Sequence, residues 1–275
     1  MSVNSKIFNK KYYYDVCLGS EEFKQSYGKN INFKVKKLLD SIDLKPYMEV
    51  LEIGCGRGDN TLYLSKRVKS IIGIDYSKDA IDIANSIRKK SSTKTQKNTK
   101  FLKMKADKLL FDDESFDMVI MIDTIDHLND IELNKCMKEI SRVLKKNGQI
   151  FIKTCSNKTL LNYTYRYYTY PVNNLLTKID KIIKRIDYDS LPNNPRTKDQ
   201  FRQHINEPTL KYLKNIFKKY NFEGKTFFEI GYLKTESNIR SKLYNLLIAL
   251  YPFSLISPLN NFFANSFIFK YKKHK

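Results

Sequence analysis

The first chemistry in the chain lies in Val50-Leu51-Glu52-Ile53-Gly54-Cys55-Gly56-Arg57-Gly58-Asp59. An apolar run ends beside an acidic residue, glycines alternate through the next positions, and a helical pattern begins. Glycine at Gly54, Gly56 and Gly58 frees a tight loop from Cβ clashes and lets a ligand lie against the backbone. The helix that follows would aim its unpaired N–H groups and positive dipole end at that ligand. Further acidic residues recur at the ends of apolar runs, at Asp75 after Ser70–Ile74 and at Asp123 after Phe116–Ile122. With Glu52 and the 105–107 stretch, they fall on one edge if these runs are parallel strands, and ligands sit on that edge in open α/β sheets.

The remaining pattern supplies the elements that would hold these residues. Ile31, Val35, Leu38, Leu39 and Ile42 are near helical spacing, and Pro46 punctuates the entry to the first strand. A helix is expected over Asn60–Val68, and another opens at Ser77 with the stripe Ala80, Ile83, Ala84 and Ile87. Residues 91–99 are polar and aperiodic, which reads as a surface loop. Strands are expected at 101–104, 116–122 and 149–154. Asn129-Asp130-Ile131-Glu132 fits a capping box for a helix that Asn147-Gly148 ends. Alternation of strand and helix through residue 155 implies a parallel sheet covered by helices on both faces. A helix at 208–220 and strands at 222–233 and 266–271 would complete a mostly parallel, Rossmann-like sheet of seven strands. Helical insertions interrupt this C-terminal part. One is tyrosine-dense, with Tyr163, Tyr165, Tyr167, Tyr168 and Tyr170. The other, Leu243–Leu259, is apolar but broken by Pro252 and Pro258, too short to span a bilayer, so it either packs as core or lies in a membrane interface. The tyrosine-rich start, Tyr12-Tyr13-Tyr14, either closes over a pocket or forms a surface arm.

The chain has 275 residues, and its formal charge of +21 suits an anionic partner: nucleic acid, acidic lipid headgroups or an anionic carbohydrate. The same charge also fits basic residues spread over ordinary solvated faces, since they form no unbroken block. Cys17, Cys55, Cys136 and Cys155 make no C-x-x-C pair, which argues against a metal site or a disulfide framework. The opening residues lack the apolar stretch of a signal peptide, so a cytoplasmic location is expected, with peripheral membrane contact where the basic surface meets anionic lipid.

Taken together, Val50–Gly58, Ile72–Asp75, the Phe111–Asp117 run with its strand, and Glu139–Gly148 resemble the motifs of class I S-adenosylmethionine-dependent methyltransferases, in the small-molecule branch known as methyltransferase domain type 11. A dinucleotide-binding oxidoreductase would want a third fingerprint glycine where this chain has Asp59. The resemblance implies S-adenosylmethionine as cofactor. Gly54, Gly56 and Gly58 would meet its amino-acid end, and Glu52 would anchor the loop or reach the ammonium through water. Asp75 would accept from both ribose hydroxyls, with Tyr76 and Asp123 in the same site. Family members usually carry an acidic residue followed by alanine at the adenine; this chain has Lys105-Ala106-Asp107, so either Asp107 contacts the adenine amine or the Ala106 backbone reads the ring. No resident metal is expected. On this reading residues 1–45 form a helical cap, 46–156 the cofactor-binding core, and 157–275 the rest of the sheet, with its two insertions as an acceptor lid.

For a hydroxyl acceptor a base helps, and His127, after the fourth strand, is the best placed because imidazole titrates near neutrality. It would equally serve as a loop residue capping the following helix. His204 would return to the site from the C-terminal part, or stand inert in its loop. The expected reaction is O-methylation of a small molecule, a carbohydrate or lipid-linked acceptor. RNA methylation is the alternative, on charge, but the Asp123-Thr124-Ile125-Asp126 stretch lacks the prolines of exocyclic-amine methyltransferases. Thr154-Cys155-Ser156 lacks the Pro-Cys partner of cytosine C5 enzymes. A binding module without catalysis is the third class, disfavoured by the intact glycines and Asp75.

Overall fold

The computed structural model describes Val3 and residues 7–154, 157–183 and 190–274. Its first long strand, β1 (Glu49–Ile53), is the apolar run before the glycine loop, and it lies between β2 (Ser70–Asp75) and β4 (Phe116–Ile122), both parallel to it. With β3 (Thr99–Lys103), β5 (Leu144–Lys153), β6 (Phe222–Ile230) and β7 (Ala264–Lys273), the sheet order is β3-β2-β1-β4-β5-β7-β6. Only β7 runs against its neighbours β5 and β6. The expected mostly parallel seven-stranded α/β sheet is therefore what forms.

Alternate side chains of the central strands point to opposite faces. Leu51, Ile53, Val119 and Met121 join one core with α6 (Asp130–Val143) and α9 (Leu210–Lys219), while Val50, Met118 and Ile120 join another with Leu39 of α2 (Phe33–Asp40) and Leu64 of α3 (Asp59–Leu64). Helices thus cover both faces, and a short helix, α1 (Ser20–Ser26), precedes them in the N-terminal segment. The Ser77 hydroxyl caps α4 (Lys78–Lys89) by accepting from the Ala80 N–H, and Ala80, Ile83, Ala84 and Ile87 face inward as the stripe requires. Asn129 and Glu132 form the expected capping box on α6.

Several boundaries differ. Residues 91–99 are not a loop: Thr93–Asn98 is a helix, α5, started by Ser92 accepting from the Thr95 N–H and held by Arg88 donating to the Gln96 carbonyl. Its buried anchor is Thr95, so apolar periodicity could not reveal it. The helix before β5 ends at Val143, and Asn147 (φ 63°) belongs to an irregular start of β5 rather than to a helix terminus. The strand expected to run to Leu233 stops at Ile230. The tyrosine run is a π-helical stretch, Leu160–Thr169, continuing into α7 (Tyr170–Ile183), and α8 (Lys198–Gln203) follows before α9. Cys155 lies outside the described residues.

The Leu243–Leu259 segment is core only in part. α10 (Ile239–Ala249) buries Tyr244, Ile248 and Ala249 against Phe263 of α11 (Leu259–Phe263), but Leu243, Phe253 and Ile256 are exposed. Among the described residues no helix is long and apolar enough to cross a membrane.

Candidate active site

At the carboxyl ends of β1, β2 and β4 the chain encloses a cavity of about 470 Å³, within the range of small-molecule sites. Gly54, Gly56, Asp75, Tyr76, Ala106, Asp107, Asp123 and His127 all line it. Glu52, Gly58 and His204 do not, and each has another place.

The loop after β1 is fastened to β2, with the Gly54 and Cys55 N–H groups both donating to the Ile74 carbonyl at 2.8 and 2.9 Å. Gly54 has φ 75°, and a Cβ there would come within 2.7 Å of Thr124 Cγ2, so only glycine lets Thr124 stand against the loop. Gly58 (φ 82°) is required by packing instead: its missing Cβ would sit 2.7 Å from the Ala84 Cβ and from the Phe101 ring. The Glu52 carboxyl faces away from the cavity and accepts from the Thr61 hydroxyl of α3, holding loop and helix together. Of its two expected roles it takes the anchoring one. Complete burial pushes the Glu52 carboxyl up to about 8, so it is neutral at pH 7.

Asp75 ends β2 with one oxygen accepting from the Gly56 N–H at 3.0 Å and the other from the Ser77 N–H at 2.9 Å. Each carboxylate oxygen keeps a further lone pair for the cavity. Burial raises its pKa, and the two N–H groups oppose that rise. Beside it the Tyr76 hydroxyl is buried and, among the described residues, has no hydrogen-bond partner, an orphan that a polar ligand atom would satisfy. A bare glycine loop, a carboxylate with paired free lone pairs and an unsatisfied hydroxyl fit an adenosyl ligand with a ribose diol and an amino-acid tail.

Arg57 carries the residue role that the sequence did not suggest. It is 5% exposed, pairs with Asp59 at 3.0 Å, and donates to the carbonyls of Tyr13 (3.0 Å) and Leu18 (2.8 Å). Its guanidinium also sits 4.4 Å from the centre of the Phe23 ring. Through it the tyrosine-rich start folds over the loop, and Phe8, Tyr12, Tyr13, Cys17 and Leu18 become cavity walls. The pocket-closing reading of this segment is the observed one. The expected lid insertions are elsewhere: among the described residues, none of 157–183 or 239–263 lines the cavity.

The cavity wall that follows β4 holds titratable groups. Lys153 donates to Asp123 at 2.7 Å, and burial raises the Asp123 pKa against that cation. His127 Nδ1 lies 3.0 Å from the Gln203 carbonyl; a carbonyl only accepts, so Nδ1 bears the proton and Nε2 keeps the lone pair. Asp126, 1% exposed, stands 3.7 Å from that Nε2 and 3.1 Å from His204 Nε2. His204 is held behind His127 because the Ile205 and Asn206 N–H groups donate to the Asp126 carbonyl. Burial lowers the His204 pKa, against the pull of Asp126. The ligand atoms of Asp126, His127 and His204 lie within 4.8 Å of one another, a spacing that also suits a divalent cation. Asp126 carried no signal beyond its neighbour His127, since burial beside a distant histidine is a tertiary fact.

The methyltransferase-domain family matches residues 44–225. The ubiquinone biosynthesis O-methyltransferase of Pelagibacter ubique (strain HTCC1062) is 36% identical over 118 residues, 43% of this chain and 46% of that protein. The demethylmenaquinone methyltransferase of Staphylococcus aureus (strain MRSA252) is 30% identical over 138 residues, 49% of this chain and 54% of that one. The matched stretch thus spans about half the length of these curated relatives. The crystal structure of an S-adenosylmethionine-dependent methyltransferase from Methanosarcina mazei superposes with a TM-score of 0.53 at 21% identity, over 89% of this chain and 99% of that one, a likeness of fold. The glycine loop, the acid at the end of β2 and the strand order therefore have one explanation: the chain belongs to the methyltransferase-domain family, among the class I S-adenosylmethionine-dependent methyltransferases.

Proposed function

We propose that the protein methylates a hydroxyl group of a small, lipid-linked acceptor. The observation that carries this reading is a single cavity lined both by the Gly54–Gly56 loop with Asp75 and by His127. S-adenosylmethionine, when bound, supplies a methyl group on a positively charged sulfur. Asp75 would hold the ribose hydroxyls, Tyr76 and the 106–107 backbone and side chains would border the adenine, and the Gly54–Gly56 main chain would meet the amino-acid end. The N-terminal segment clamped by Arg57 excludes water from that end.

Toward the acceptor the protein's work is positional, because the methyl group is already activated. His127 Nε2 takes the hydroxyl proton as the oxygen attacks. The imidazolium so formed gains the Asp126 carboxylate 3.7 Å away, while the Gln203 carbonyl keeps the ring in its tautomer. His204, on the far side of Asp126, fixes that carboxylate rather than meeting the acceptor. The name of the ubiquinone biosynthesis O-methyltransferase supports a hydroxyl as the acceptor, and the names of both relatives, with ubiquinone and demethylmenaquinone in them, support an apolar molecule. The formal charge of +21 prompts RNA methylation as an alternative, which the names of the curated relatives do not favour.

The test is transfer of labelled methyl from the donor to fractions of a cell extract, separated into organic-soluble, aqueous small-molecule and RNA pools. Label in the organic-soluble pool, lost in His127→Ala, is the expected result. Label confined to RNA or to aqueous products would overturn the lipid-linked reading.

A further inference from the structure

Both C-terminal insertions leave the sheet on the side where the cavity opens. The π-helical stretch and α7 follow the carboxyl end of β5 at Lys153, while α10 and α11 connect the end of β6 to the start of β7. β7 is antiparallel, with Ile268 opposite Lys153, so its beginning lies at that same edge.

Each of these helices buries polar groups beside apolar ones and turns a second apolar stripe outward. On α10 the inward positions include Ser241 and Asn245, 5% and 8% exposed, while Ile239 (82%) and Leu243 (54%) point outward with Leu247. On α7 Asn173 and Thr177 are buried, and Leu175, Ile179 and Ile182 are exposed at helical spacing. The buried polar groups are bonded and fix each helix in its rotation. Asn245 exchanges hydrogen bonds with the Lys234 N–H (2.8 Å) and carbonyl (3.0 Å), and Asn173 donates to the Tyr244 hydroxyl and accepts from the Leu191 N–H. Turning either helix to hide its apolar stripe would strand these groups in the core. The turn after α10, bounded by Pro252 and Pro258, adds exposed Phe253 and Ile256 to the same cap.

Charge selects the occupant. Arg240 and Lys242 on α10 and Lys178 and Lys181 on α7 are exposed; residues 239–258 contain no Asp or Glu, and α7 carries one acidic residue, Asp180. A second copy would bring another chain of formal charge +21 to this face. Aliphatic side chains beside lysines and arginines match the acyl boundary and headgroups of an anionic bilayer. We propose that α7, α10 and the Phe253–Ile256 turn form a membrane-docking face that lays the mouth of the cavity toward an anionic lipid surface. This deepens the lipid-linked reading above and rests on it for its purpose, while the docking itself needs no donor or acceptor.

The experiment is flotation of the full chain with vesicles of phosphatidylcholine alone and of phosphatidylcholine with phosphatidylglycerol. Wild type is expected to float with the anionic vesicles, less so in high salt. Leu243→Asp combined with Ile256→Asp should lower the bound fraction about tenfold or more while affinity for S-adenosylhomocysteine stays unchanged, which checks folding independently. Arg240→Glu with Lys242→Glu should lower it on anionic vesicles alone. Wild type that floats with neither vesicle overturns the proposal, as does a Leu243→Asp/Ile256→Asp protein that floats like wild type. A dimer in light scattering that the same apolar substitutions dissociate would reassign the face to a subunit interface and also overturn it. Failure of methyl transfer with docking intact would instead count against the acceptor reading alone.

Discussion

Gly54 and Glu52 sit two residues apart and are constrained for different reasons. Gly54→Ala would force a Cβ against Thr124 at a positive φ, and a loss of about 1–3 kcal/mol in unfolding free energy is expected by denaturant titration. Glu52 has a testable pH signature. Its folded pKa is raised to about 8 from an ordinary 4.5 by burial. A raised carboxyl favours the folded state fully only below the unfolded value, and the contribution is lost as pH rises toward 8. Glu52→Gln keeps an acceptor for Thr61 and cannot ionise. Its melting temperature relative to wild type should therefore climb between about pH 4.5 and 8; a difference independent of pH would contradict the assignment. His204 has the opposite sign: burial lowers its pKa, so its contribution is complete above the ordinary value and fades as pH falls through the lowered one. For His127, replacement by alanine should lower kcat about 10²–10⁴-fold with little change in cofactor affinity. Activity that EDTA abolishes and a divalent cation restores would assign the Asp126–His127–His204 cluster to metal binding instead.

At the scale of elements, the strands near the site were legible because each is a short apolar run with an acid at its end. β2 and β4 have the expected bounds, and the caps at Ser77 and Asn129 are the expected ones. α5 was not legible, since its single buried anchor is a threonine. Nor could spacing reveal that the N-terminal segment, forty residues before Arg57, would be tied down by that side chain. The consequence is measurable. Arg57→Ala leaves Asp59 buried without its cation and frees the Tyr13 and Leu18 carbonyls. A loss of about 3–5 kcal/mol is expected for breaking such a buried pair, with faster proteolysis near residues 12–18 in limited digestion. Equal stability and equal digestion would show that the segment closes without the clamp.

The whole molecule is built on a mostly parallel sheet, and the carboxyl edge of its parallel strands gathers the glycine loop, Asp75, the 105–107 stretch, Asp123 and His127. That convergence follows from strand direction and was readable before any side chain was placed. The outer face was less readable, because an apolar segment such as Leu243–Leu259 looks alike whether its leucines face the core or the surroundings. The buried set of Ser241, Tyr244, Asn245 and Ile248 shows which way α10 turns. The cradle around Asp75 remains the feature on which the chemistry depends, and isothermal titration with S-adenosylhomocysteine tests it most directly. Wild type should bind, and Asp75→Ala should bind about a hundredfold more weakly, the loss of charge-assisted hydrogen bonds worth about 3 kcal/mol, while still melting cooperatively. Equal affinity in the two proteins, or no binding by wild type, would contradict the account.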